Sequence, residues 1–311
     1  MMKSFTSVIK AELCKLPLKD NCCAAAELLG VICYSSFLKN NSINVRVENI
    51  SVAKRIFSLT KIITGNIPEI FKDKYNDKFI NTIKIAQNED VANLLNKFGL
   101  VKCNMEGKSF ILFSVKERFV SNRCCKQAFL RGAFLVAGSC MNPDRQYHLE
   151  LSTRHRHLHK DTENIIKELD MNPKLLNRNG VYTLYFKNSE SIFDFLGNIG
   201  ATKCMLDYQN VRILREISNN MNRAINCEEA NRRKTELACD EQLDAIEKIE
   251  KHMGLDTLEN SLREICYLRM DYPDYSLSEL SLITKDKISK ASLSRKLKKI
   301  IEIADKLEKK E

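Results

Sequence analysis

The densest run of potential chemistry lies near the C-terminal end of the chain. From Lys285 to Lys299, seven basic residues stand against a single aspartate. Ammonium and guanidinium groups in such number suit a polyanion, and the planar fork of arginine can also read the edge of a base. Within this run Ser289 is placed to cap a helix. Leu293, Leu297, Ile300, Ile301 and Ala304 then recur at i, i+4, i+7, i+8 and i+11, which makes one apolar stripe. At about 100° per residue, Ala291, Ser292, Arg295, Lys298 and Lys299 fall on the opposite face. Small and hydroxyl residues at a helix start fit a major groove, and Arg and Lys beyond them reach bases and phosphates. Ser289, Lys290, Ser292, Arg295, Lys298 and Lys299 are therefore the expected DNA contacts.

Other reactive types offer less. His155, His157 and His159 cluster, but Arg154 and Arg156 surround them with positive charge and no carboxylate or cysteine completes a ligand set. A basic, exposed helix start is the expectation there. The twelve cysteines include two adjacent pairs, Cys22–Cys23 and Cys124–Cys125, and no CxxC. They are expected to act mostly as small buried hydrophobes, with no metal bound. No GxxxxGK[ST] loop and no local Ser-His-Asp or Cys-His motif is present. The sequence thus predicts no cofactor and no small-molecule substrate.

The elements that must present the basic face can be read upstream of it. Ser276 and Glu279 have the spacing of a capping box, opening a short helix over 276–283. Thr284–Ile288 makes the turn into the final helix. Helices at about 240–253, closed by Gly254, and 257–270, closed before Pro273, precede the pair. A further amphipathic helix is expected over 211–225, from Val211, Leu214, Ile217, Met221 and Ile225. The polar run 226–235 reads as a linker.

Charge and length bound the rest. The 311 residues carry a net charge of +10, with 44% hydrophobic and 29% charged residues, enough to bury a core in about two domains. Residues 1–217 hold 32 Lys+Arg against 21 Asp+Glu, whereas residues 218–311 hold 18 against 19. The tail is nearly neutral, so its positive charge is concentrated in one stretch. No apolar run is long enough to span a bilayer, and the first residues lack the apolar core of a signal peptide. A cytoplasmic, nucleoid-associated protein without membrane contact is expected.

The first two-thirds contain a repeat. NCCAAAELLG at 21–30 aligns with RCCKQAFLRG at 123–132, matching Cys22/Cys124, Cys23/Cys125, Ala26/Ala128, Leu28/Leu130 and Gly30/Gly132 at an offset of 102. Alternation at Ile43, Val45 and Val47 is answered by 147–152, helical stretches at 51–63 by 156–169, and strands at 79–85 by 181–187. Each half closes on a short helix ended by glycine, at Gly99 and Gly200.

Two αββαββα halves, each headed by a helix of small residues, resemble the LAGLIDADG homing endonucleases. In that family the two motif helices pack side by side and end in acids that hold divalent metal for phosphodiester cleavage. Those positions fall here on Ser35, in Leu28–Ser36, and Ala137, in Leu130–Gly138. Neither ligates a hard cation usefully, and Glu27 and Asp144 lie too far from the motif ends to substitute. The expectation is a protein that is not an enzyme.

A more specific resemblance, over essentially the whole chain, is to the WhiA family of bacterial regulators. It rests on the openings of both repeats, LRGAFLVAGSCMNP (130–143) before YHLEL, VRILREISNNMNRAINCEEAN (211–231) and ISKASLSRKLKKI (288–300). The turn 284–288 departs from WhiA turns, which often contain glycine. The resemblance implies an α+β fold, with a degenerate LAGLIDADG-like domain at 1–217 (halves 20–117 and 122–217) and a linker segment at 218–238. A helix-turn-helix domain follows at 239–311, its motif at 275–308. It further implies a transcriptional regulator of cell division, sporulation or chromosome segregation, acting on double-stranded DNA and allowing a partner regulator protein. The alternative is a nucleoid-associated scaffold with weak sequence preference.

Overall fold

The repeat in the sequence becomes a repeat in space. A computed structural model describes residues 4–18, 20–35, 38–39, 42–75, 78–105, 107–284 and 288–308. After α1 (Phe5–Leu13), the first half runs α2 (Asn21–Ser35), β1 (Leu38–Lys39), β2 (Ser42–Val47), α3 (Ile50–Thr64), β3 (Glu69–Tyr75), β4 (Lys78–Gln87) and α4 (Glu89–Phe98). A hairpin, β5 (Val101–Cys103) with β6 (Ser109–Ile111), leads to the second half. There the same order returns: α5 (Arg123–Ala137), β7 (Gly138–Cys140), β8 (Leu149–Thr153), α6 (Arg156–Lys167), β9 (Lys174–Arg178), β10 (Val181–Phe186) and α7 (Ser189–Ile199). Both sheets are antiparallel with equivalent strand orders, β1-β2-β4-β3 and β7-β8-β10-β9. The fold is α+β, a duplicated αββαββα domain followed by helices.

Alternation sets the strands. Ile43, Val45 and Val47 are buried, as are Leu149, Leu151 and Thr153 at the corresponding places, so one face of each sheet meets the core. Strands β3 and β9 lie at sheet edges with exposed side chains along β9 and over Glu69–Lys74, and neither has the alternation that would announce it.

Helices α2 and α5 form the centre. Every residue from Ala26 to Tyr34 is buried, so α2 is enclosed all round. Two glycines permit the approach: a methyl group at Gly30 would strike the carbonyl oxygen of Phe129, and one at Gly132 that of Glu27. Beside this contact Glu27, almost wholly buried, is paired with Arg55 of α3 and Arg131 of α5, at 2.9 Å from Arg55 Nη2 and 3.1 Å from Arg131 Nη1. Arg55 Nη1 also donates to the carbonyl of Leu16 at 2.7 Å. The carboxylate thereby joins the two halves, and each charge has a partner. The Tyr34 hydroxyl reaches across as well, to Thr162 Oγ1 at 2.9 Å.

Helix α8 (Thr202–Met253) runs for 52 residues. Its first N–H groups are capped by a carboxylate distant in sequence, with Lys203 N–H and Cys204 N–H donating to Glu12 at 2.6 and 2.9 Å. The polar run expected to be a linker lies inside this helix. No Gly or Pro interrupts 202–253, and Arg232 and Glu236 pair at i,i+4, so its polarity reflects exposure rather than a chain break. The apolar stripe Leu214, Ile217, Met221 and Ile225 is helical as expected, yet exposed.

Cα packing divides the chain into units Met1–Arg215 and Glu216–Glu311. The second unit contains α9 (Asn260–Asp271), α10 (Leu277–Ile283) and α11 (Lys290–Glu308). Among the described residues no helix is long and apolar enough to cross a membrane.

Candidate nucleic-acid interface

The second unit is a small helical core with one basic side. Leu293, Leu297, Ile300 and Ala304 of α11 are buried together with Leu262, Ile265 and Cys266 of α9, Leu280 of α10, and Ala245, Ile246 and Ile249 of α8. About 25 cal/mol per Å² of apolar surface removed from water favours this arrangement, and it fixes which way α11 is turned. Lys290, Arg295, Lys298 and Lys299 are all exposed as a result, while Ser292 is half-buried.

Local hydrogen bonds set the ends of both helices. The Ser276 hydroxyl accepts from Glu279 N–H at 3.3 Å, and Ser276 N–H donates back to the Glu279 carboxylate at 2.8 Å. Those bonds hold the Glu279 carboxyl below the usual carboxylate range. Thr284 Oγ1 donates to the carbonyl of Ser281 at 2.9 Å and accepts from Ile288 N–H at 3.1 Å. Residues 285–287 of the turn lie outside the described residues. Ser289 Oγ accepts from Ser292 N–H at 3.3 Å, so Ser289 caps α11 as its position suggested.

The basic residues are not equivalent. Lys299 Nζ stands 3.7 Å from the Glu259 carboxylate, an exposed pair that must open before phosphate takes the lysine. Among the described residues no ion pair holds Lys290, Arg295 or Lys298, which are free to meet an anion. Nothing in the sequence of α11 announced the difference, because Glu259 is forty positions away.

Sequence reasoning also understated Arg269. It falls on the apolar face of α9, and it is almost wholly buried. Its guanidinium donates to the carbonyls of Tyr272, Pro273 and Tyr275 at 3.5, 3.4 and 2.8 Å, gathering the loop that leads into α10. The Cys239 thiol donates to the same Pro273 carbonyl at 2.7 Å. The available signal was a charged residue at i+4 from Ile265 and i+7 from Leu262, in a stripe otherwise apolar.

In the first unit, Ser35 and Ala137 are the last residues of α2 and α5. The Ser35 hydroxyl is turned back on its own helix, donating to the Ile32 carbonyl at 3.2 Å. Glu27 is engaged by two arginines, as described above. Asp144 sits in a loop, where its carbonyl accepts from Arg215 at 2.9 Å. Ser36 lies outside the described residues.

The three histidines do not form one exposed basic face. His155 packs on Phe113 with ring centroids 4.4 Å apart, and His159 is buried beside Tyr182, centroids 5.5 Å apart. Burial lowers both imidazoles below their ordinary range. Only His157 is exposed, because α6 turns His159 and Leu158 inward.

Comparison with known proteins agrees with this architecture. Residues 126–218 match the family model of the WhiA LAGLIDADG-like domain, and residues 221–304 that of the WhiA C-terminal HTH domain. A probable cell division protein WhiA of Ruminiclostridium cellulolyticum is 35% identical, over 98% of this chain and 98% of that protein. The corresponding protein of Clostridium novyi is 36% identical over 98% and 99%. The crystal structure of full-length WhiA from Thermotoga maritima covers 98% of this chain and 99% of its own at 26% identity, with a TM-score of 0.60. With a duplicated LAGLIDADG-like domain ahead of a helix-turn-helix and curated relatives matched end to end, the chain belongs to the WhiA family.

Proposed function

We propose that the chain is a non-catalytic transcriptional regulator that reads double-stranded DNA through α11 and acts in cell division. The observation that carries this reading is the opposition on α11 of a buried stripe, Leu293 to Ala304, and an exposed basic face, Lys290 to Lys299. In the reading, Lys290, Ser292 and Arg295 meet base edges near the helix start, Ser289 orders that start, and Lys298 and Lys299 hold phosphates. The name carried by the curated relatives supports cell division as the process, and sporulation and chromosome segregation belong to the wider set the family resemblance implies. A location on the nucleoid in the cytoplasm follows from that role, as does a place for a partner regulator protein. The domain limits proposed are 1–217, 218–238 and 239–311, with the middle segment helical rather than flexible.

Absence of nuclease chemistry is part of the proposal. Ser35 and Ala137 stand where the endonucleases carry acids, and neither side chain offers the carboxylate oxygens that Mg²⁺ requires. Full-length protein incubated with supercoiled DNA and Mg²⁺ or Mn²⁺ should leave it intact. Metal-dependent nicking abolished by a change in 28–36 or 130–138 would refute this part.

The DNA-reading part is tested by titrating a duplex selected from genomic fragments, and a random duplex, over a salt series. Preference for the selected site that persists as salt rises supports a regulator, because the phosphate term is sequence-independent and screened. Equal affinity for both would transfer support to a nucleoid scaffold.

A further inference from the structure

We propose that Cys22, Cys23, Cys124 and Cys125 together form a binding site for one thiophilic cation of the zinc class, held between the first turns of α2 and α5. The four are the second and third residues of their helices, related by the 102-residue repeat. They come together because the Gly30 and Gly132 contacts bring the helices to backbone distance. The Sγ atoms of Cys22, Cys23 and Cys125 all lie within 4.8 Å of one another, and among the described residues this is the one group of three or more potential ligands so close. Cys124, exposed on the same first turn of α5 beside Cys125, stands outside this group of three and is the fourth ligand we assign, turned in by rotation about χ1. The sequence reading, that the cysteines act mostly as small buried hydrophobes with no metal bound, could not see this proximity, because the two pairs lie 102 positions apart.

The donor set decides the class of ion. Four sulfurs with no carboxylate or imidazole among them favour zinc or a similarly soft cation over Mg²⁺, Ca²⁺ or Mn²⁺. A tetrahedral zinc–thiolate centre has metal–sulfur bonds of about 2.3 Å, which places sulfurs about 3.8 Å apart, so the sulfurs of Cys22, Cys23 and Cys125 must close by up to roughly 1 Å and that of Cys124 must turn in toward them. Rotation about χ1 supplies such a movement. Cys22 and Cys124 are exposed and give the ion a route in, and Cys125 is buried and anchors the inner side. On binding, four S–H bonds break, four metal–sulfur bonds form and four protons pass to solvent. No oxidation state changes. The ion would then fasten the two halves at the opposite end of α2 and α5 from Ser35 and Ala137.

The test uses the full chain, reduced and kept free of oxygen, titrated with Co²⁺ alone and then with Zn²⁺. The expected result is one cobalt per chain with the sulfur-to-metal charge-transfer and intense visible bands of tetrahedral thiolate, displaced by zinc. Zinc should also raise the Tm, by mass action on the folded state. Cys22→Ser and Cys124→Ser alter exposed positions, so the fold is retained, and each should weaken binding by at least about 100-fold, the upper end of what outer-shell changes cost. Cys103→Ser and Cys227→Ser, also exposed but outside the quartet, should bind as the parent does. A folded, reduced protein without tetrahedral bands overturns the proposal, as do bands that survive in both quartet variants. Formation of a disulfide between the two helices on mild oxidation, in protein that takes up no cobalt, likewise replaces the metal site with a redox pair.

Discussion

Helices α2 and α11 have similar lengths, 15 and 19 residues, and differ in what surrounds them. Helix α2 is enclosed by α5, α3 and its own sheet, and its one charged residue, Glu27, is neutralised by arginines from two neighbours. Helix α11 buries a single stripe and leaves Lys290, Arg295, Lys298 and Lys299 in water. A helix closed on every side along most of its length holds architecture and leaves only its first turn open to a ligand. One buried along a single face is oriented by that burial and keeps the other face for recognition. The lesson is that LAGLIDADG-type ancestry and DNA reading need not reside in the same helix: in this chain the ancestral pair provides scaffold, and the proposed reader lies elsewhere.

Breaking the enclosed helix should have the largest effect. Glu27→Gln leaves Arg55 and Arg131 without their shared anion, and loss of one partner from a buried pair costs about 3–5 kcal/mol. Equilibrium denaturation of the full chain should show that loss in the transition assigned to the first unit. An unchanged midpoint would mean the carboxylate does not bind the halves together. Gly132→Leu comes next, since a side chain there meets the Glu27 carbonyl rather than a movable side chain. Overpacking of this kind costs about 1–3 kcal/mol, and backbone contact puts the expectation at the upper end.

The open helix should respond in binding rather than in stability. Arg295→Ala is expected to cost about 1–3 kcal/mol on a preferred duplex and to relax preference at one base position, with the melting temperature unaltered. Equal binding by variant and parent on both duplexes would remove α11 as the reader. Lys298→Ala should reduce the salt slope by about one unit on any DNA. Lys299→Ala should reduce it by less, because Glu259 already competes for that ammonium. Reversal of this order would show that the pair with Glu259 does not persist in solution.

A smaller effect, shaped by pH, belongs to the first unit. His155 and His159 have folded pKa values below the ordinary 6.5, so the folded chain binds fewer protons than the unfolded chain between the two values. Stability is complete above 6.5 and declines as pH falls through that point. His159→Gln should flatten the decline in Tm, and an identical pH profile in the variant would show that this imidazole does not contribute.

Much of the fold was legible because it is written twice. Ile43, Val45 and Val47 alternate, their counterparts do the same, and Gly99 and Gly200 mark equivalent helix ends with left-handed φ of 69° and 92°. The stripe and caps of α11 were legible too, since each involves residues within a few turns. Less legible was whatever depends on partners far apart in the chain. Strands β3 and β9 are defined by pairing, not by alternation. Helix α8 crosses a polar stretch because its exposed residues tolerate helix, which composition does not distinguish from a linker. The buried roles of His159 and Arg269, and the meeting of Cys22 and Cys23 with Cys125, arise from packing between elements that no local window contains.

The reciprocal glycine contact also bears on how the protein is made. Because α5 begins about a hundred residues after α2, a ribosome adding roughly 5–20 residues per second leaves α2 without its counterpart for something like 5–20 seconds. During that interval the first half exposes a surface whose complement in the finished chain is the repeat-related helix α5. Two nascent chains on one message can satisfy each other before either has its own second half. Ribosome-bound chains halted near residue 120 should therefore crosslink in pairs, and Gly30→Leu should abolish the pairing; halted chains that remain single would show that this surface is shielded during synthesis.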